Sequence, residues 1–245
     1  MRRFAATIRK TAVQIPTPQI WYDLDDLSTL IMTGTQVDQI NSKGTIANME
    51  MIKNIGTNER VDYDGRKVLF INNGSEFRAD NSDKADYTFL HDRLLSNSVF
   101  VVFNSLGVDI FDYILTTSKL TTLDTGFVIV DESRGSSVKQ LRVNIIRSVG
   151  GTNSFAYTSP NNTIETNALN LFKSNMDNSV INLQFNNVTN TSTVTPTSDS
   201  LSTELLRIAR SGLQGHIAEI IIYDRKLTTT EETEVTDYLN NKWSL

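Results

Sequence analysis

The most informative absences in this 245-residue chain are among its reactive side chains. There is no cysteine, so disulfides, thiolate metal sites and a cysteine nucleophile are all excluded. Only two histidines occur, His91 and His216, which are too few for a histidine-rich zinc site. The sequence also lacks the G-x-S-x-G pattern of a serine nucleophile elbow and a glycine-rich phosphate loop. These absences remove most of the common enzyme chemistries.

Basic charge is also scarce, because 28 acidic residues outnumber 23 lysines and arginines and give a net charge of −5. A domain that coats nucleic acid would need a dense basic face, so we expect no nucleic-acid partner. No apolar run approaches the length of a membrane span, and we expect no membrane partner. Hydrophobic residues make up 39% of the chain, which is enough for a folded core.

The N-terminal segment differs in charge from the remainder of the chain. It contains no acidic residue before Asp23, lacks the continuous apolar stretch of a secretory signal, and carries Pro16 and Pro18, which favour extended backbone. We therefore predict an extended basic arm over residues 1–19, held away from a single domain over residues 20–245. The arm would contact an acidic partner such as a capsid or tail subunit, and the alternative is a disordered tail with no partner. Its basic side chains are Arg2, Arg3, Arg9 and Lys10.

The body of the chain is a series of short β-rich runs separated by polar turns, which indicates a sandwich or barrel. Residues 99–103 are continuously apolar, as expected for a strand that is buried on both faces. Residues 180–185 alternate in polarity, and Asn72-Asn73-Gly74 is a strong turn signal. The Thr- and Asn-rich stretch 186–202 is predicted to be an exposed loop or a mobile hairpin.

The chain closes with a helical pattern. Thr228 and Glu231 form a capping-box pair, and Val235, Leu239 and Trp243 then recur at four-residue spacing on one helical stripe. We predict a short amphipathic helix that docks on the sandwich, with Trp243 as a core anchor.

The C-terminal segment resembles a known family. The run Gly215-His216-Ile217-Ala218-Glu219-Ile220-Ile221-Ile222-Tyr223-Asp224-Arg225, with the closing Tyr238-Leu239-Asn240-Asn241-Lys242-Trp243, is similar to the end of concanavalin A-like (laminin-G-like) domains, especially those of bacteriophage and bacterial surface proteins. The resemblance implies an all-β, two-sheet antiparallel jelly-roll sandwich with a short C-terminal α-helix. That fold hosts lectins, glycanases and structural modules, so the resemblance predicts fold better than function.

Glycan hydrolysis needs two carboxylates that flank a cleft. Glycanases of this fold carry them on one strand face, as Glu-x-Asp-x-x-Glu, and the chain has no such triplet. Asp131 and Glu132 are adjacent, so in a strand they would point to opposite faces. We therefore expect no catalytic residue and no enzyme activity.

Two weaker patterns suggest ligand sites. Phe155 and Tyr157 occur in a polar stretch, residues 150–162, where they could stack on a sugar, although such aromatics more often pin a loop to the core. Asp80, Asp83 and Asp86 form an oxygen-rich cluster that could hold calcium, although the spacing fits no EF-hand and a polar loop is the plainer interpretation. We expect no other cofactor.

The sequence therefore predicts a non-enzymatic bacteriophage virion protein, which would be a capsid decoration, head-fibre or tail-associated jelly roll. Such a protein could also bind glycans. Its expected location is the virion, assembled in the bacterial host cytoplasm. Its partners would be other virion proteins and, optionally, cell-surface glycans, and a homo-oligomer is left open. The alternatives are a carbohydrate-binding module or adhesin and, less favoured, a glycan-cleaving enzyme.

Overall fold

The computed structural model describes most of the chain between residues 14 and 245. The described residues are 14–80, 84–92, 95–106, 111–118, 126–132, 140–146, 154–157, 168–177, 180–186, 188–193, 202, 204–210 and 212–245. They are mostly β-structure, with short 3-10 segments at Leu27–Thr29 and Lys84–Leu90 and one long helix, α1 (Thr229–Trp243).

Strands account for most of the described elements. In chain order they are β1 (Ile20–Asp23), β2 (Leu30–Thr33), β3 (Gln36–Ile40), β4 (Met51–Ile55), β5 (Asn58–Tyr63), β6 (Arg66–Ile71), β7 (Glu76–Ala79), β8 (Asn97–Ser105), β9 (Phe111–Thr116), β10 (Gly126–Glu132), β11 (Gln140–Ile146), β12 (Ser154–Tyr157), β13 (Asn170–Asp177), β14 (Val180–Phe185), β15 (Val188–Thr193), β16 (Arg207–Ile208) and β17 (Gly215–Tyr223).

These strands form two antiparallel sheets. Sheet A has the order β15-β14-β13-β8-β17-β6-β5, and β1 also pairs with β17. Sheet B has the order β12-β11-β10-β9-β16-β7-β4-β3-β2. The predicted two-sheet antiparallel sandwich with a C-terminal helix is therefore confirmed.

One apolar core fills the space between the sheets. Sheet A contributes alternate residues of its central strands, such as Val99, Val101 and Phe103 of β8, and sheet B contributes residues such as Phe77 and Phe127. The intervening residues of β8, among them Phe100 and Val102, are buried as well, on the outer face of the sheet. β8 is therefore covered on both sides, as its unbroken apolar sequence predicted.

Helix α1 covers this second, outer face of sheet A. Val235, Leu239 and Trp243 are its buried residues, and they pack on a separate cluster that includes Phe100, Ile221 and Tyr223. The helix begins with the predicted capping box, in which Thr228 and Glu231 exchange hydrogen bonds with each other's backbone N–H groups. The docked helix and the anchoring role of Trp243 are thus confirmed. No helix among the described residues is long and apolar enough to span a membrane.

The segment that precedes β1 contacts the sandwich over residues 14–19. The Tyr223 hydroxyl donates a hydrogen bond to the Pro16 carbonyl (3.1 Å), Thr45 N–H donates to the Pro18 carbonyl (3.1 Å), and Ile15 packs against the outer cluster. The expectation that Pro16 and Pro18 hold this segment away from the domain is therefore wrong for residues 14–19. The four basic side chains, Arg2, Arg3, Arg9 and Lys10, lie outside the described residues, and their assembly role stays a prediction.

Candidate functional site

A groove runs along the C-terminal end of α1, between the helix, the β5–β6 hairpin and the adjoining ends of β13 and β14. It consists of two adjoining cavities of about 480 and 460 Å³, which we call the first and second lobes of the helix-end groove. Both volumes are in the range of roughly 300–1,000 Å³ typical of small-ligand sites. The lobes share Ala168, Leu169, Ser244 and Leu245. The first lobe is also lined by Asp62, Tyr63, Asp64, Arg66, Lys242 and Trp243. The second is also lined by Asn170, Leu171, Gln184, Asn186, Thr236 and Asn240.

The β5–β6 hairpin supplies one wall of the first lobe. Its tight turn is Asp64-Gly65, and both residues have positive φ (49° and 80°), as the primed turn of a two-residue hairpin requires. The turn places Tyr63 directly opposite Arg66 in the strand register. Burial and the nearby carboxylate of Asp64 raise the pKa of the Tyr63 phenol, so the hydroxyl is neutral at physiological pH. The aromatic ring, the exposed carboxylate and the guanidinium thus border the same cavity.

Arg66 is held in place by Asp25. Its Nη1 donates to Asp25 Oδ2 (3.1 Å), and the backbone N–H of Lys67 donates to Asp25 Oδ1 (2.9 Å). Burial opposes ionisation of Asp25, but these two hydrogen bonds outweigh it and lower the pKa of the carboxyl. Asp25 is therefore a carboxylate at neutral pH, and it orients the arginine beside the lobe.

The second lobe is built from the ends of β13 and β14 and one face of α1. Asn186 follows β14 in left-handed backbone (φ 48°), and its Oδ1 accepts a hydrogen bond from Leu171 N–H (3.1 Å). Gln184 Nε2 donates to the Asn186 carbonyl (3.1 Å). On the helix side, Thr236 Oγ1 accepts from Lys173 Nζ (3.2 Å). These contacts fix a wall of amides and hydroxyls.

A buried carboxylate, Glu219, fastens the end of the helix beside the groove. It is 1% exposed and lies on β17 next to the bulge where the partner strand changes from β6 to β1. Its Oε1 accepts from Trp21 Nε1 (2.7 Å) and the Tyr238 hydroxyl (2.9 Å), and its Oε2 accepts from Trp243 Nε1 (2.7 Å).

Lys242 completes this cluster, 3.0 Å from Glu219 Oε2 and 2.6 Å from Asp23 Oδ1. Burial raises the pKa of Glu219, and the ammonium of Lys242 counters that rise. Both carboxylate oxygens already accept two donors each. The Glu219 cluster is therefore a structural device that holds β1, β17 and α1 together.

A second pair of buried carboxylates lies between the sheets. Asp112 on β9 is the register partner of Asp131 on β10, and both are at most 1% exposed. Ser105 Oγ, from β8, lies 2.9 Å from Asp112 Oδ2 and 2.8 Å from Asp131 Oδ2. From the sequence, Asp131 was weighed as a catalytic carboxylate only together with its neighbour Glu132. In the structure Asp131 is the register partner of Asp112, and both carboxylates are buried.

Both histidines make contacts within the fold. His91 is buried, and its Nε2 accepts a hydrogen bond from the Ser202 N–H (3.0 Å), while its Nδ1 lies 3.2 Å from Thr117 Oγ1. His216 is half-buried between the rings of Tyr63 and Phe70, each centred 5.2 Å away. Burial lowers the pKa of His216, which keeps the ring neutral at pH 7.

The predicted sugar-stacking pair, Phe155 and Tyr157, does not line either lobe of the helix-end groove. Phe155 and Tyr157 belong to β12, the edge strand of sheet B, where they are register partners of Asn144 and Arg142. Placing them in a loop was therefore wrong, because β12 completes a hydrogen-bonded ladder with β11. Their role in sugar binding is untested and stays a prediction.

The predicted calcium cluster is only partly covered by the structure. Asp80 is exposed at the end of β7, Asp86 lies in the 3-10 segment Lys84–Leu90, and Asp83 lies outside the described residues. Within the described part of the chain, no group of three or more acidic or histidine residues has the arrangement of a metal site. The calcium hypothesis stays a prediction that concerns the whole trio.

By sequence, the chain matches no protein-family model and no curated protein. Its fold does match solved structures. The carbohydrate-binding module CBM40 of the Ruminococcus gnavus IT-sialidase, bound to α2,3-sialyllactose, superposes with a TM-score of 0.52 at 12% identity, over 69% of this chain and 95% of the module. The binding domain of botulinum neurotoxin serotype D gives a TM-score of 0.60 at 9% identity, over 90% of this chain and 51% of that one.

A third match is the binding domain of botulinum neurotoxin DC in complex with SialylT, with a TM-score of 0.58, 8% identity and 91% of this chain covered. At these identities the likeness establishes the fold alone. It agrees with the jelly-roll sandwich that the C-terminal signature implied.

The residues of the helix-end groove were not singled out as a site in the sequence. Asn240 occurs only in the closing Tyr238–Trp243 signature. The available signals were the Asp64-Gly65 turn and the paired amides Asn240-Asn241 in the last turn of a helix. Neither signal indicates that the hairpin and the helix end meet, because 176 positions separate Asp64 from Asn240.

Proposed function

We propose that this protein is a non-catalytic glycan-binding module. The observation that carries the proposal is the fold likeness to CBM40, which spans 95% of that module and whose structure contains α2,3-sialyllactose. The botulinum neurotoxin DC binding domain, in complex with SialylT, supports the same class. The proposal corresponds to the alternative that the sequence left open, a carbohydrate-binding module or adhesin.

The disposition of the carboxylates supports binding without cleavage. A glycosidase needs one carboxyl group as acid and a second as base or nucleophile on either side of the bond. Asp112 and Asp131 are enclosed between the sheets, and Glu219 is saturated by four donors under the helix. Two carboxylates line the helix-end groove, Asp62, which pairs with Lys67, and Asp64. Both lie on the β5–β6 hairpin, and no acidic side chain faces them from the other described lining residues.

A glycan array probed with the purified protein tests the proposal. We expect retention on at least one glycan class, followed by saturable binding in isothermal titration calorimetry and no release of reducing sugar from that glycan over hours. Retention on no glycan would contradict the binding function, and measurable turnover would contradict the absence of catalysis. The variant Asp131→Asn serves as a control, because this substitution would abolish any observed turnover if the Asp131 carboxylate were catalytic.

The virion assignment, its location in the phage particle and the role of the basic arm remain predictions from the sequence. They are compatible with glycan binding, since a particle that attaches to a host surface can carry such a module. Purified particles, separated by density and probed with an antibody against this chain, would test that assignment independently of any sugar.

A further inference from the structure

We propose that the helix-end groove is the glycan site and that it selects a neutral, hydroxyl-rich saccharide over an anionic one. The inference rests on the proposed glycan-binding function and adds the place and the chemical class of the ligand. It follows from which lining groups are already used in the fold and which still have hydrogen-bonding capacity.

The second lobe has no ionisable side chain among its described lining residues. Its polar groups are amides and hydroxyls. The side-chain amide of Asn240 makes no hydrogen bond within the described part of the chain, and Gln184 uses its Nε2 and leaves Oε1 available there. An amide offers both donors and an acceptor. A sugar hydroxyl also donates and accepts at once, so this lobe complements hydroxyls better than it complements a carboxylate.

The first lobe has little positive charge to offer. Lys242 lies against Asp23 and Glu219, and Arg66 contacts Asp25, so each cation already faces a carboxylate. Asp64 is exposed at the tip of the β5–β6 hairpin, with no ion pair to any described residue.

This balance of charge separates two ligand classes. An anionic sugar in the first lobe would approach two lining carboxylates, Asp62 and Asp64, and the charges of Arg66 and Lys242 are already offset by Asp25, Asp23 and Glu219. A neutral sugar would instead donate a hydroxyl to Asp64 and accept from the N–H groups of Arg66 that Asp25 leaves unused.

The groove also provides apolar surface. Tyr63 and Leu169 are half-buried and line the first lobe, and the C–H face of a pyranose packs well on such groups. Because the lobes share Ala168, Leu169, Ser244 and Leu245, a single ligand can extend from one to the other. We therefore expect an oligosaccharide to bind more tightly than a monosaccharide.

The experiment compares two neighbouring asparagines of α1. Asn240 lines the second lobe, whereas Asn241 is exposed and donates to the Asp237 carbonyl (2.7 Å) outside the groove. The wild type, Asn240→Ala, Gln184→Ala and Asn241→Ala would be titrated with neutral cello-, malto-, manno-, xylo- and galacto-oligosaccharides and with 3′-sialyllactose. Circular dichroism checks that each variant is folded.

We expect a neutral oligosaccharide to bind the wild type. Asn240→Ala and Gln184→Ala should each weaken its affinity at least tenfold, because each removes hydrogen bonds from the groove to the ligand. Asn241→Ala removes no groove hydrogen bond, so its affinity should stay within about twofold of the wild type. If a neutral glycan binds equally well to all four proteins, the groove is not the site, although the glycan-binding function stands. If only sialyllactose binds, the ligand class is wrong while the function stands. If no saccharide binds, both proposals fail.

Discussion

The outer face of sheet A carries two surfaces of opposite character. Under the body of α1, side chains such as Phe100, Ile221 and Leu239 exclude water, and the buried carboxylate of Glu219 has four donors. At the end of the same helix, Asn240, Gln184 and Asp64 border open cavities and retain hydrogen-bonding capacity toward a ligand. The contrast indicates where the sequence is constrained by stability and where it is available for recognition.

The largest expected effect comes from removing the anchor of the covered surface. Trp243 is 6% exposed and contributes both its ring and its indole N–H. Trp243→Ala should lower the free energy of unfolding by about 3–5 kcal/mol, the usual cost of truncating a buried aromatic. Urea denaturation measures it. Trp243→Phe keeps a ring but loses the N–H, so its free energy of unfolding should lie between those of the wild type and the alanine variant. A loss below about 1 kcal/mol for the alanine variant would mean that the helix is peripheral.

A smaller effect should follow from altering the carboxylate while keeping its shape. In Glu219→Gln the new amide group donates hydrogen bonds, so it faces indole, phenol or ammonium donors that it cannot satisfy. We expect a loss of about 2–3 kcal/mol, in the range for hydrogen bonds to a charged group. Glu59→Gln on the exposed side of β5 is the matched control and should change stability by less than about 0.5 kcal/mol. Equal stability of both variants would show that the Glu219 cluster is dispensable.

The smallest expected effect is in the groove. Asn240→Ala should leave the free energy of unfolding unchanged within about 0.5 kcal/mol, or raise it slightly, because alanine is the better helix former and the amide supports no described contact. Thermal unfolding monitored by circular dichroism measures it. A loss above about 1.5 kcal/mol would place Asn240 among the structural residues and remove the contrast between the two surfaces.

Local patterns in the sequence predicted a large part of the fold. The alternation in residues 180–185 corresponds to β14, whose Ile181, Leu183 and Phe185 are buried, and the apolar run 99–103 lies within β8. The Asn72-Asn73-Gly74 turn is present, with Gly74 at φ 84°. The stretch 186–202, expected as an exposed loop or mobile hairpin, contains β15, which pairs with β14 along its length. Threonine-rich sequence forms strands readily, and the partner strand decided this one.

Contacts between residues that are far apart in the chain could not be predicted from local sequence patterns. Glu219 interrupts an otherwise apolar strand, and nothing local indicates that Trp21, some 198 positions away, supplies one of its donors. The groove likewise requires the β5–β6 hairpin, the end of β14 and the last turn of α1 to meet. The pair Phe155 and Tyr157, chosen from local composition, does not line either lobe of the helix-end groove, and its role stays a prediction.

The place of β17 in sheet A also has a consequence for the order of folding. This strand pairs with β8, β6 and β1, yet it follows each of them in the chain by more than 100 residues. Until residues 215–223 are available, the β15–β14–β13–β8 half and the β6–β5 half have no strand to join them. Contacts of such large sequence separation are slow to form. During synthesis the two halves would wait with unpaired edges at β8 and β6, and these are the edges where self-association of nascent chains is most to be expected.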